Sequence, residues 1–172
     1  MNEQKIFSYQ LLELLNQINF SQKYYDYYAK SKENSSQEKS VLKTEDFAAA
    51  LSSTSLDFSY NKKERFFHYE ENNNKWQFEL NISFSKSYIE LILSVENELL
   101  GYAGGPFPKL AREAAQLSNP NFQYSPASPK IPFSNREELQ EAVNFGVSLF
   151  EEIKQAILSK QNLVGYSVES LG

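Results

Sequence analysis

Residues 76–95 read WQFELNISFSKSYIELILSV, and this stretch decides the fold. Trp76, Phe78, Leu80, Ile82 and Phe84 alternate with Gln77, Glu79, Asn81, Ser83 and Ser85, the period of two that a half-buried strand requires. Ile89, Leu91, Leu93 and Val95 repeat the pattern against Tyr88, Glu90, Ile92 and Ser94. Folding the segment about Lys86 and Ser87 sets Phe84 opposite Ile89, Ile82 opposite Leu91, Leu80 opposite Leu93 and Phe78 opposite Val95. A slip of one residue would turn the whole apolar set into water, so the register is strongly specified.

Two further strands extend this hairpin toward the N-terminus. Leu56, Phe58 and Tyr60 alternate, and a polar turn over 61–64 separates them from 65–69. A second turn spans 70–75, with Asn72, Asn73 and Asn74 at its tip. Pairing Phe58 with Phe67 and Tyr69 with Trp76 keeps the apolar side continuous, which predicts a four-stranded antiparallel meander.

Helices are expected on either side of the strands. Phe7, Leu11, Leu14, Leu15 and Ile18 recur at three- and four-residue steps, predicting one helix from Lys5 to about Lys30. It ends in Tyr24, Tyr25, Asp26, Tyr27 and Tyr28, and four tyrosines in five residues cannot share one core stripe, so one or two are expected on the surface. Residues 31–45 are polar, lack aromatics and read as a mobile linker within the domain. A short helical turn follows at 46–51. Residues 99–108 hold three glycines and two prolines and predict a tight turn, with Tyr102 and Phe107 exposed on it. Pro108 then starts a short helix to Leu117. Residues 119–132 carry four prolines and predict an extended connector along a sheet edge. Ser134 with Glu137 forms a capping box that opens a long helix to about Lys160. The expected architecture is α+β, one domain over residues 1–172, with N- and C-terminal helices on one face of the meander.

Composition narrows the function classes. The 172 residues are 41% hydrophobic, enough for a core without disulfides or metal, and there is no cysteine. The formal charge of −5 disfavours nucleic acid, because phosphate neutralisation needs clustered Lys and Arg. No secretory h-region and no apolar run of ~18 residues is present, so a soluble cytoplasmic protein that does not engage membrane is expected.

Catalytic motifs are scarce. His68 is the only histidine, and it falls on the polar side of its strand beside Gln77, without a Gly-x-Ser-x-Gly elbow elsewhere. Gly104 and Gly105 lack the Lys-Ser or Lys-Thr of a phosphate loop, and Pro106 removes a donor. No catalytic residue, cofactor or metal is expected. Glu79, Glu90 and Glu96 fall on the polar face of the sheet with Tyr88 beside them, a pattern suited to docking a basic protein. The predicted partner-binding set is therefore Glu79, Tyr88, Glu90, Glu96, Tyr102 and Phe107. Two classes of binding protein share these gross features by analogy. Small acidic immunity proteins neutralise bacterial toxins, many of them basic. Type III secretion chaperones hold an effector segment, but insert a helix between strand groups, so that layout would need further strands within 121–131. The expectation is a non-enzymatic protein-binding domain of the immunity type, with a chaperone-like protein or a small enzyme as the alternatives.

Overall fold

The computed structural model describes residues 3–35 and 39–160. Two helices, α1 (Glu3–Gln17) and α2 (Phe20–Glu33), open the chain, followed by α3 (Thr44–Ser52). Then come β1 (Ser59–Asn61), β2 (Phe66–Asn73), β3 (Trp76–Phe84), β4 (Tyr88–Asn97) and β5 (Gly101–Pro106). The chain continues through α4 (Phe107–Ser118), β6 (Ile131–Pro132) and α5 (Arg136–Ser159). The sheet is antiparallel and ordered β1-β2-β3-β4-β5, with β6 also paired to β4.

The central hairpin has the register its alternation dictates. Phe84 faces Ile89, Ile82 faces Leu91, Leu80 faces Leu93 and Phe78 faces Val95, all on the buried side. Trp76, Phe78, Leu80, Leu91 and Leu93 are buried together in the core. The outer pairings differ from expectation. Tyr69 faces Leu80 and not Trp76, and Phe67 faces Tyr60 and not Phe58. The first shift follows from the β2–β3 turn, which is only Asn74 and Lys75 long, with Asn74 at φ 55, and the second from the β1–β2 turn over 62–65, with Arg65 at φ 59. Asparagine tolerates that left-handed conformation, so the strand runs on through 70–73 instead of turning there.

The sheet also has a fifth full strand where a turn was expected. β5 pairs with β4 from Gly101 opposite Asn97 to Pro106 opposite Ile92. Its glycines hide the alternation, yet Gly104 is required by close approach: a Cβ there, at φ +148, would lie 2.2 Å from the Leu93 carbonyl oxygen. The proline-rich connector carries no strand until Ile131–Pro132, which pairs with Tyr88 and Ile89 at the edge of β4, as expected.

Helices cover one face. α1 buries Phe7, Leu11, Leu14 and Leu15, and Phe7 packs on Trp76 with ring centroids 5.7 Å apart. α3 stacks Phe47 on Phe84 at 4.3 Å. α5 lays Phe150 edge-on to Tyr69, and its Gly146 lets the helix backbone approach Leu91. The single long N-terminal helix is instead two, broken where Asn19 adopts φ 57. The break turns α2 against α4, where Phe20 meets Phe107 at 5.4 Å and Ser21 Oγ donates to the Ala111 carbonyl at 2.6 Å.

This reorientation buries the tyrosine run. Tyr24, Tyr25 and Tyr28 are all buried, and Tyr27 stacks on Phe145 at 3.9 Å. The Tyr24 hydroxyl donates to the Pro129 carbonyl at 2.5 Å, and its pKa is raised, chiefly by burial. No exposed tyrosine surface exists here, because α4 and the 119–133 connector close over it.

The 31–45 stretch is not all linker: α2 reaches Glu33, α3 begins at Thr44, and Ser40 N–H donates to the Ser134 carbonyl at 2.9 Å. Residues 36–38 of that expected linker, and residues 1–2 and 161–172 of the expected domain, lie outside the described residues. The cap of α5 sits one residue later than predicted. Asn135 Oδ1 accepts from Glu138 N–H at 3.0 Å, and the Glu138 carboxylate accepts from Ser134 N–H at 2.7 Å. Arg136 in turn pairs with Asp46 at 2.7 Å, tying α5 to the start of α3.

Candidate functional site

Strand alternation sends every second side chain of the sheet away from the helices. On that outer face stand Phe66, His68, Glu70, Gln77, Glu79, Asn81, Ser83, Tyr88, Glu90, Ile92, Ser94, Glu96 and Tyr102, and none of them is buried. Their hydrogen bonds, ion pairs and ring contacts run within the sheet or to Lys130. Among the described residues, no helix covers the end of this face that holds Glu70, Glu96 and Tyr102, while Tyr28 and Lys32 of α2 line a cleft with Tyr88 at the other end.

The register arranges these residues in rows across the strands. Asn72, Gln77, Glu96 and Tyr102 form one row, and Glu70, Glu79, Ser94 and Gly104 form the next. Glu70 and Glu79 thus sit directly opposite each other, with Glu96 diagonal to Glu79. Like charges so placed repel, and each is steadied by a neighbour. Gln77 Nε2 donates to Glu79 Oε1 at 3.2 Å, and Asn72 Nδ2 donates to Glu70 Oε1 at 3.4 Å. Tyr102, 45% exposed, faces Glu96 across β4 and β5. Leu99, 48% exposed, stands at the adjoining β4–β5 turn. Asn97 Oδ1 accepts from Leu99 N–H at 2.9 Å and Leu100 N–H at 3.2 Å, which fixes that turn.

The predicted set is therefore only partly brought together. Glu79, Glu96 and Tyr102 share one end of the face. Glu90 and Tyr88 belong to the other end: Glu90 faces Ser83, four residues and roughly 13 Å along β3 from Glu79. Glu90 is half-buried and paired with Lys130 at 3.6 Å, while Lys130 also stands 4.8 Å over the Tyr88 ring. Phe107 is not a contact residue at all. It is fully buried, edge-on to Phe20 and Tyr24, because β5 runs straight into α4 and carries it inward. Glu70 was missed because the sequence placed it in a turn. The continued alternation of Phe66, His68, Glu70 and Asn72 was the signal that could have found it.

His68 is on the polar side, as expected, but beside Asn81 and not Gln77. Its Nδ1 lies 2.6 Å from Asn81 Oδ1, and Nε2 lies 3.4 Å from Glu70 Oε2. Both ring nitrogens thus face side-chain oxygens of the same sheet face. Among the described residues, no serine or threonine hydroxyl bonds to either ring nitrogen.

One ionic group on the covered side was invisible in sequence. Lys154 of α5, 7% exposed, donates to Glu71 at 2.7 Å and pairs with Glu151 at 3.0 Å, while the Tyr69 hydroxyl donates to Glu71 at 2.8 Å. Burial opposes the charge on Lys154, but its bonds to Glu71 and Glu151 leave its pKa raised, so it holds its proton and offers no free lone pair. The Glu71 carboxyl is held low by its bond from Lys154, and the Tyr69 hydroxyl is pushed up to about 12, first by burial and then by its bond to Glu71. Glu71 therefore stabilises the fold above its ordinary 4.5 and loses that contribution as pH falls through its native pKa. Lys154 contributes below its ordinary 10.5 and loses this as pH rises through its own. The pair braces α5 against β2 throughout the neutral range.

No group of three or more His, Cys, Asp or Glu among the described residues could hold a metal ion. No described helix is long and apolar enough to cross a membrane. Comparison with protein-family models, with curated proteins and with solved structures finds no match.

Proposed function

We propose that this chain is a protein-binding domain that docks a basic protein on the open face of its sheet, in the manner of an immunity protein neutralising a toxin. The observation that carries the proposal is the cluster of Glu70, Glu79 and Glu96 at an end of the outer face that no described helix covers, bordered by exposed Tyr102 and Leu99. An aromatic anchor beside an acidic cluster suits a partner with the opposite charge. In this reading His68 orients Glu70 and carries no chemistry. The chaperone-like alternative has less support, since five strands run without an intervening helix and the 121–131 segment adds only the start of β6.

The test uses the chain and its Glu79→Lys/Glu96→Lys variant as baits in native lysate, followed by association kinetics with the retained protein. A basic partner is expected, with an on-rate that falls steeply as ionic strength rises and falls about tenfold further in the double variant. An association rate that ignores salt, or that the double reversal leaves unchanged, removes this face as the docking surface.

A further inference from the structure

The chain carries a net charge of −5, yet one of its clefts is lined, among the described residues, by four lysines and by no carboxylate. The cleft has a volume of about 340 Å³ and lies at the end of the sheet away from the Glu79 cluster. Lys32 comes from the last turn of α2, Lys39 from the approach to α3, Lys86 from the β3–β4 turn and Lys130 from the approach to β6. Residues separated by up to about a hundred positions are thus drawn to one opening. Lys130 is shared with Glu90 and Tyr88, whereas Lys32, Lys39 and Lys86 form no ion pair among the described residues.

The walls are held by backbone bonds, so the cleft is built before any ligand arrives. Phe133 N–H donates to the Ser87 carbonyl at 3.0 Å, Ser40 N–H to the Ser134 carbonyl at 2.9 Å, and Tyr88 pairs with Pro132 in the sheet. Ammonium groups gathered around one opening repel one another, and an anion seated between them removes that repulsion. We propose that this cleft binds a small phosphate-bearing organic molecule. Lysine ammoniums serve phosphoryl groups as compact point charges, whereas planar carboxylates are best matched by the arginine fork, and no arginine lines the cleft. Tyr88, Pro132 and Phe133 supply an apolar wall for the organic portion. The volume sits at the lower end of small-molecule sites, which suits a monophosphate or diphosphate carrying a single ring system.

The experiment titrates inorganic pyrophosphate and, separately, a nucleoside monophosphate into the full chain, reading both heat and the thermal midpoint. Sodium chloride at matched ionic strength is the control. Saturable binding and a raised midpoint are expected with both phosphates and not with chloride. The Lys39→Gln/Lys86→Gln variant removes two exposed side chains, so its far-ultraviolet spectrum should be unchanged. Its affinity should fall about tenfold or more, the loss of at least one charge-assisted hydrogen bond. The Glu79→Lys/Glu96→Lys variant should bind phosphate as the parent does, which separates this site from the docking face. A shift that never saturates and follows ionic strength alone, or equal affinity in the lysine variant, overturns the proposal. So does the absence of heat and of a shift with both phosphates.

Discussion

The two faces of the sheet are made by the same strands and obey different constraints. Toward the helices, Phe78, Leu80, Ile82, Leu93 and Val95 are fully buried and each position is fixed by its neighbours. One residue along, Glu79, Asn81, Ser83 and Ser94 touch little beyond their cross-strand partners. The inner face determines whether the chain folds. The outer face is free to be chosen for something else, and what stands there is a row of carboxylates that repel one another. Recognition belongs on the face where stability does not dictate the residue.

The largest test of that division is at neighbouring positions of β3. Phe78→Ala should lower unfolding free energy by about 3–5 kcal/mol, through lost burial and the cavity left behind. Glu79→Ala, one position on, should change it by no more than about 1 kcal/mol in either direction. Urea denaturation of both variants measures the contrast. Costs of similar size would mean that the outer face is packed against something and that the division is false.

A second substitution sharpens the comparison, because it falls on the outer face and should still be costly. Gly104 shares the row of Glu70 and Glu79, and a Cβ at φ +148 would run into the Leu93 carbonyl. Gly104→Ala should cost at least about 2 kcal/mol, from backbone strain and the displaced β4 strand. The outer face then tolerates changes of side chain but not of backbone approach. A neutral effect in the same urea experiment would show that β5 can shift away from β4 freely.

How far each part was legible follows from the range of the interactions that fix it. The β3–β4 hairpin could be read because two alternating strands and a short turn lie within twenty consecutive residues, with one register that buries everything. The outer half of β2 could not, because its inward residues turn polar at Glu71 and Asn73, and Glu71 is satisfied by Lys154, eighty-three positions away. Phe107 was misplaced for a related reason: glycines in β5 carry no side chains to alternate, so a strand resembled a loop and its neighbour looked exposed. The tyrosine run misled in the opposite way. Its composition suggested surface, but the bend at Asn19 brings α2 under the connector, and a left-handed asparagine is one conformation among several that sequence permits. At the proposed docking face, Glu79 and Glu96 were legible from alternation alone, Glu70 depended on the misjudged turn, and the separation of Glu90 appeared only once Lys130 was placed beside it.

The smallest expected effect bears most directly on why the outer face is acidic. Glu70 and Glu79 occupy directly opposed positions, where like charges destabilise a sheet by a few tenths to about 1 kcal/mol. Glu79→Gln removes the repulsion while keeping the length of the side chain and an oxygen that can accept from Gln77. Unfolding free energy should therefore rise by about 0.2–1 kcal/mol in urea at low salt. The gain should fade in 1 M salt, where the Debye length shrinks to about 3 Å and the parent's repulsion is already screened. Urea is uncharged, so stability and ionic strength can be varied independently. A substitution that stabilises the fold yet weakens association with a basic protein would show the carboxylate retained at the expense of stability, as expected of a binding residue. If Glu79→Gln destabilises the domain, the carboxylate serves the sheet itself, and the contrast between the two faces loses its main support.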